Sequence, residues 1–182
     1  SQDLSESFIT VLDERGQTLE PVGKVGGIGA GERIYAVRFM GEMAYVVTFK
    51  QIDPLYAIDL SDPTDPTVLG ELKIPGFSAY LHPVADGLLM GVGQDASEEG
   101  FTSGSQVSLF DVSDPANPQR IDQLSLGDQT YSSVEWDAKA FTWWDQTSTG
   151  FVPVSWYRYD EANQSEENGT ASVAVQVADR KL

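Results

Sequence analysis

The sequence contains no cysteine and only one histidine, His82, among its 182 residues. Without cysteine the chain has no disulfide, no thiolate zinc site and no cysteine nucleophile. A metal site built from several histidines cannot form within one chain. A Ser-His-Asp triad would need His82 as its base, and no Gly-x-Ser-x-Gly motif presents a serine. These absences exclude the most familiar forms of hydrolytic and metal catalysis.

Basic residues and long apolar runs are also scarce. The chain has 11 Lys and Arg residues against 28 Asp and Glu residues, which gives a net charge of −17. Phosphate recognition needs clustered Lys and Arg, so nucleic acid and anionic membrane surfaces are not expected partners. No apolar run reaches the ~20 residues of a membrane span, so membrane insertion is not expected. Residues 1–7 are polar and acidic, so a signal for export would have to lie outside this sequence.

Internal repetition is the strongest feature that is present. The segment Leu55–Thr67 (LYAIDLSDPTDPT) matches Val107–Gln119 (VSLFDVSDPANPQ) at an offset of 52 residues. Apolar positions coincide, Asp59 falls on Asp111, and both segments continue into a Ser-Asp-Pro-x-Asx-Pro turn. A period of about 40–50 residues made of short strands is typical of β-propeller blades, each of which is a four-stranded sheet.

Weaker copies of the repeat lie on both sides. Residues 22–25 resemble residues 69–72, and residues 172–179 resemble the Leu55 segment with Gln176 in place of the aspartate. Runs rich in Val, Ile, Tyr and Phe alternate with turn residues, and three-turn amphipathic helices are missing.

The repeats predict an all-β fold, a partial β-propeller of about three four-stranded antiparallel blades with incomplete blades at both ends. The whole chain, 1–182, is interpreted as one propeller segment. Its blades are placed at 6–26 (two strands), 32–75, 77–127 and 130–182 (three strands). Closed propellers have about four to eight blades, so we expect the sequence to be a piece of a longer protein or an open arc with covered ends.

The turns and the strands around them also carry a family resemblance. Residues 58–63 (IDLSDP), 70–76 (GELKIPG) and 80–83 (YLHP) resemble the C-terminal β-propeller domain of predicted secreted bacterial and archaeal proteins, which is distantly related to WD-type repeats. The turn is also similar to the LVIVD repeats of cell-surface propellers. The resemblance covers about residues 8–145. It implies a secreted or cell-envelope propeller of uncharacterised function, with no catalytic residues to carry over. One departure is Ala138, where the family usually has histidine.

Four side chains are candidates for ligand contact. His82 lies near the end of an expected innermost strand, where it is either a packed structural residue or a ligand contact at the axial opening. Trp143, Trp144 and Trp156 could stack on sugars or peptides, or fill the space between blades. Neighbouring strand residues point to opposite faces, so Trp143 and Trp144 are not expected to share one. The end blade, through residues 136–157, is a predicted surface for self-association.

Acidic residues offer two further interpretations. The loops 94–100 and 160–169 carry oxygen ligands of the kind that calcium prefers, although the second loop fails the EF-hand pattern and both are also typical of solvated hairpins. No other cofactor or metal site is predicted. Asp59 and Asp111 recur once per blade, which indicates strand-end hydrogen-bond acceptors, and Asp62 and Asp114 are predicted turn formers.

Three functions remain open on the sequence alone. The favoured one is a non-catalytic, extracytoplasmic module that binds or scaffolds an unknown protein or small ligand. The second is a carboxylate-dependent hydrolase acting on glycans, which needs two carboxylates about 5–10 Å apart in a pocket. The third is a structural spacer that positions a region N-terminal to this one.

Overall fold

A computed structural model describes residues 6–49, 53–97, 101–160 and 164–182. The strands are β1 (Ser7–Arg15), β2 (Thr18–Ile28), β3 (Arg33–Met40), β4 (Met43–Phe49), β5 (Asp53–Asp59), β6 (Thr67–Ile74), β7 (Phe77–Ala85), β8 (Leu88–Ala96), β9 (Thr102–Asp111), β10 (Gln119–Ser125), β11 (Thr130–Tyr131), β12 (Thr142–Trp144), β13 (Thr149–Asp160) and β14 (Ser165–Gln176). Three 3-10 turns, Ser133–Glu135, Ala138–Ala140 and Asp145–Thr147, are the helical elements of these residues. None of them has the length or apolar character that crossing a membrane requires.

Within each of the first three sheets, every strand pairs antiparallel with the next one along the chain. Strands β1 and β2 form a hairpin, β3–β6 form a four-stranded sheet in sequence order, and β7–β10 form a second sheet in the same way. This arrangement confirms the predicted all-β partial propeller with four-stranded antiparallel blades. The described sheets stack side by side and none of them closes into a barrel.

The last sheet is built around β13. Strand β14 pairs with β13 along its whole length, from Thr149↔Gln176 to Asp160↔Ser165. The opposite edge of β13 is shared by two short strands, because β11 pairs near Trp156 and β12 pairs near Phe151. Four strands therefore occupy three positions, and the 3-10 turns fill the interval between β11 and β12.

The core lies between successive sheets. Alternate residues of β4 point to opposite faces: Tyr45 and Val47 pack toward the β7–β10 sheet, whereas Ala44 and Val46 pack toward the β1–β2 hairpin. A third cluster joins β8 and β9 to the last sheet through Met90, Val92, Val107, Val134, Phe141, Val152, Val154 and Val175. The central strands of the two complete blades, β4, β5, β8 and β9, are buried on both faces because each blade has a neighbour on either side.

The repeated turns hold neighbouring blades together. The turn after β9 lies over β6 so closely that a Cβ on Gly70 would be 2.5 Å from the carbonyl oxygen of Ala116. The turn after β5 covers Gly23 in the same way, with the Pro63 carbonyl oxygen 2.2 Å from the would-be Cβ. Glycine is therefore required at the point of contact, which explains the likeness of residues 22–25 and 69–72.

Residues near the end of the chain make a third contact between neighbouring sheets, through hydrogen bonds and an ion pair rather than through a glycine. The position equivalent to Gly70 is Asp122, whose carboxylate accepts a hydrogen bond from the Leu182 backbone N–H at 2.8 Å. Arg180 donates to Asp111 and forms an ion pair with it. The segment that follows β14 thus contacts β9 and β10 of the preceding sheet. The two proline turns likewise contact the sheet that precedes their own, at β2 and at β6.

Candidate functional site

Strands β3, β7 and β12, from three successive sheets, carry one group of polar and aromatic side chains. Strands β3 and β7 contact each other along their edges, and β12 meets β7 through ring contacts. The group consists of Arg38 from β3, Tyr80 and His82 from β7, and Phe141 and Trp143 at the start of β12. We call these five residues the inner-strand cluster.

His82 is the centre of this cluster. Its ring centroid lies 4.9 Å from that of Phe141 and 5.6 Å from that of Trp143. The Tyr80 hydroxyl is 3.1 Å from His82 Nδ1. Tyr80 and His82 are two residues apart on one strand, so their side chains share a face. Tyr80 also contacts Phe141, with 5.1 Å between ring centroids.

Burial and charge set the protonation of the cluster. Partial burial, followed by the positive charge of Arg38, lowers the pKa of His82, while the carboxylate of Asp145 acts weakly in the opposite direction. The imidazole is therefore neutral at pH 7. Burial also raises the pKa of Tyr80, so its phenol stays protonated. The cluster thus combines neutral hydrogen-bonding groups with one permanent cation, because arginine stays protonated.

Local structure explains how the aromatic side chains reach His82. Trp143 pairs with Gly150 across β12 and β13, and a Cβ on Gly150 would lie 3.0 Å from the Phe141 ring. The absent side chain leaves room for that ring beneath His82. The Trp143 indole N–H donates to Asp145 at 2.6 Å, which fixes the orientation of the indole.

The structure separates the four sequence-predicted residues. His82 and Trp143 meet in the inner-strand cluster. Trp144 is 52% exposed on the opposite face of the last sheet, as strand alternation requires. Trp156 is elsewhere on that sheet, packed over Gly169, where a Cβ would lie 2.3 Å from the indole. Trp144 and Trp156 therefore do not join the site that contains His82.

Arg38 and Tyr80 were not among the sequence candidates. The Tyr-x-His spacing at 80–82 on a predicted strand was a usable signal for Tyr80, because it places both side chains on one face. Arg38 had no comparable signal, since its approach depends on the packing of two sheets. Ala138 is exposed on the 3-10 turn that leads to Phe141.

The repeated carboxylates are engaged in turns. Asp59 accepts from the Ser61 N–H at 2.8 Å, and Asp111 accepts from the Ser113 N–H at 3.0 Å. Asp62 accepts from the N–H and the hydroxyl of Thr64, and Asp114 from the N–H of Ala116. The hydrogen bonds from Ser61, Thr64 and Ser113 lower the pKa of Asp59, Asp62 and Asp111, respectively.

Glu135, a partly buried carboxylate near the inner strands, is also engaged in structure. It accepts from Gln94 Nε2 at 2.6 Å and from the Ser132 backbone N–H at 3.0 Å. Ser132 and Glu135 form a capping box around a 3-10 turn. Glu135 therefore connects the β7–β10 sheet to the last sheet.

The predicted calcium loops fall partly outside the described residues. Residues 98–100 of the first loop and 161–163 of the second are not described. In the ranges that the structure does describe, no group of three or more His, Asp and Glu side chains is placed to hold a metal ion.

Comparison with known proteins agrees with the architecture. The model of the β-propeller domain family matches residues 1–181. This chain belongs to the β-propeller domain family. The β-propeller chain is 44% identical over 158 residues to an uncharacterized protein of Methanocaldococcus jannaschii, covering 87% of this chain and 24% of the relative. It is 43% identical over 152 residues to an uncharacterized protein of Archaeoglobus fulgidus, covering 84% and 23%. No solved structure matches the chain.

The β-propeller chain spans about a quarter of the length of these curated relatives. Propeller blades surround a central channel. Strands β3 and β7 are edge strands of neighbouring sheets and contact each other. The inner-strand cluster combines tilted aromatic rings, a neutral imidazole and a guanidinium.

Proposed function

We propose that this β-propeller segment is a non-catalytic binding and scaffolding module, and that its ligand contacts the inner-strand cluster. The observation that carries the proposal is the contact of His82 on β7 with Phe141 and Trp143 of the last sheet, beside β3, which carries Arg38. Side chains from separate blades give a surface that only the assembled fold presents. A site made in this way is positioned by the rigid sheets that carry it.

The engagement of the acidic groups supports a non-catalytic role. The recurrent aspartates accept hydrogen bonds within their turns, Glu135 belongs to a capping box, and Asp145 accepts from Trp143. A glycan hydrolase would need two carboxylates facing a common pocket. The lone histidine contacts a phenol and aromatic rings, and its lowered pKa favours a neutral hydrogen-bonding group.

The proposed location is outside the cytoplasm, in the secreted fraction or the cell envelope. It rests on the resemblance to predicted secreted propeller proteins. Fractionation of cells that express the full-length protein, with protease added to intact cells, tests it directly. Protection of the protein until the cells are lysed would contradict an exposed location.

The proposed self-association uses the outward face of the last sheet. Trp144 and Phe151 lie on that face with 52% and 38% of their surface exposed, and Ala174 is paired beside Phe151. The other sheets each pack a face of this kind against a neighbouring sheet. A second copy of the chain is the proposed partner.

A ligand screen by NMR tests the binding role. Fragments and short peptides are added to the labelled protein, and binding is followed through the ring signals of His82 and the indole N–H of Trp143. We expect hits to shift these signals together and to lose affinity in Trp143→Ala. Trp144→Ala is the matched control, because its indole is on the opposite face. Hits that depend on Trp144 and ignore Trp143 would contradict the proposed site.

A further inference from the structure

Arg38 carries an unsatisfied donor inside the inner-strand cluster. Its Nε is buried and has no hydrogen-bond partner in the part of the chain that the structure describes. A buried donor without a partner costs folding free energy, and nearly all such groups in folded proteins are paired. Arginine cannot avoid this cost by losing its proton. The unpaired Nε is therefore open to an acceptor from outside the chain, whether a water molecule or a ligand.

Among the residues that the structure describes, no carboxylate forms an ion pair with Arg38. The ion pairs among the described residues join Arg15 to Asp13 and Glu20, Lys73 to Glu71, and Arg180 to Asp111. Asp145 lies on the same side of the cluster, but its carboxylate accepts the Trp143 indole N–H. Several other cations of the described residues also form no ion pair, so the buried, unpartnered Nε is what distinguishes Arg38.

His82 supplies a second donor beside this cation. When the Tyr80 hydroxyl donates to Nδ1, the neutral imidazole carries its proton on Nε2. Arg38 lies on β3, which packs against β7, the strand of His82 and Tyr80, and its positive charge acts to lower the pKa of both side chains. The rings of Phe141 and Trp143 flank His82. The cluster thus places a guanidinium and an N–H donor beside aromatic rings.

We propose that the inner-strand cluster binds the carboxylate of a small molecule or peptide, and that Arg38 supplies the charge that recognises it. The planar guanidinium matches the geometry of a carboxylate, and the neighbouring rings favour a flat, apolar body attached to it. This inference rests on the proposed binding function and names the chemical class of its ligand.

Benzoate and its neutral isostere benzamide are the test probes, with inorganic phosphate as a third arm. Each is titrated into the protein while the His82 and Trp143 ring signals are recorded. We expect benzoate to bind about tenfold or more tightly than benzamide, since a charge-assisted pair is stronger than a neutral one. Arg38→Met should reduce benzoate affinity to that of benzamide. Arg33→Met is the matched control, because Arg33 is an exposed arginine on the same strand that lies over Tyr35.

Arg38→Lys guards against a folding defect in the methionine variant. It keeps the charge but loses the Nε donor, so benzoate should bind about tenfold more weakly than in the wild type while the ring signals of His82 stay native.

The remaining outcomes separate the two proposals. Equal binding of benzoate and benzamide, lost together in Trp143→Ala, would leave the binding function standing and overturn recognition of a carboxylate. Phosphate binding as tight as benzoate and dependent on Arg38 would overturn the restriction to carboxylates. Failure of the wild type to bind any of the three, together with a screen that finds no ligand at the cluster, would overturn both.

Discussion

At the scale of single residues, His82 reports most clearly on the site because no other histidine contributes to its signals. An NMR titration should give a pKa below the ordinary value of about 6.5, since burial and the Arg38 charge both oppose protonation. Arg38→Met should raise the pKa of His82. Asp145→Asn should lower it further, because it removes the charge that favours the imidazolium. A wild-type pKa above 7 would show that the imidazole is solvated or paired with an acid instead.

The lowered pKa of His82 also predicts how the stability of the fold depends on pH. The unfolded chain binds a proton on His82 more readily than the folded chain does, so the free energy of unfolding decreases as pH falls from about 6.5 to the lower folded pKa. Below the pKa that His82 has in the folded chain, this contribution to the free energy of unfolding is fully lost. His82→Gln should flatten the pH dependence of denaturant unfolding in this window only. The aspartates of the turns, whose pKa values are also lowered, act below about pH 4.

Gly70 tests the contact between a turn and the preceding blade. A Cβ at this position meets two backbone carbonyl oxygens, those of Ala116 and Pro115, at 2.5 and 2.6 Å. We expect Gly70→Ala to lower the free energy of unfolding by about 1–3 kcal/mol, because backbone must shift. Gly26→Ala is the control, since its Cβ would meet only the carboxylate end of Glu6, at 2.8 Å. Equal effects of the two substitutions in urea unfolding would contradict the close contact.

The sequence predicts which face of a strand a side chain occupies, because successive strand residues point to opposite faces. Alternation was enough to place Trp143 and Trp144 on opposite faces, because it depends only on neighbouring residues. It could not find Arg38, because that side chain reaches His82 through the packing of β3 against β7, which are about forty residues apart. It also gave no reason to separate Trp156 from His82, since both lay on predicted strands.

At the scale of the strand and turn, the repeated Asp-Pro turn is stabilised by the carboxylate of the aspartate that precedes its proline, which is Asp62 in the first copy. Asp62 accepts two hydrogen bonds from Thr64, at 2.8 and 2.7 Å. Asp62→Ala removes both and should lower Tm by a few degrees. Asp65→Ala in the same turn is the control, because the turn uses its backbone N–H, which donates to the Asp62 carbonyl. A larger loss from Asp65→Ala, measured by circular dichroism melting, would show that the turn is held in another way.

The elements themselves were predictable to different degrees. The four-stranded sheets follow from the repeat, because each copy carries the same apolar alternation and the same turn. The interval between β11 and β12 was not predicted as 3-10 turns, although Ser132 and Glu135 have capping-box spacing. That signal is short, and the turn is stabilised by Gln94 of another sheet. Nothing local specified that contact.

At the scale of the whole molecule, the exposed face of the last sheet predicts association between copies. Trp144→Ser should reduce concentration-dependent association in sedimentation velocity, because it removes a large apolar ring from the proposed interface. Phe101→Ser is the control, since Phe101 is 75% exposed outside that sheet. Higher salt should strengthen association by screening the repulsion between copies of charge −17. A strict monomer at every concentration would contradict the interface.

The stacking of successive sheets around one axis is tested most directly by nuclear Overhauser contacts from the single histidine. His82 lies on β7 and Trp143 on β12, in different sheets, with ring centroids 5.6 Å apart. We expect cross-peaks from the His82 ring to the rings of Trp143 and Phe141, and none to Trp144. A His82 ring that shows contacts to Trp144, or no contact to any residue of the last sheet, would contradict the arrangement.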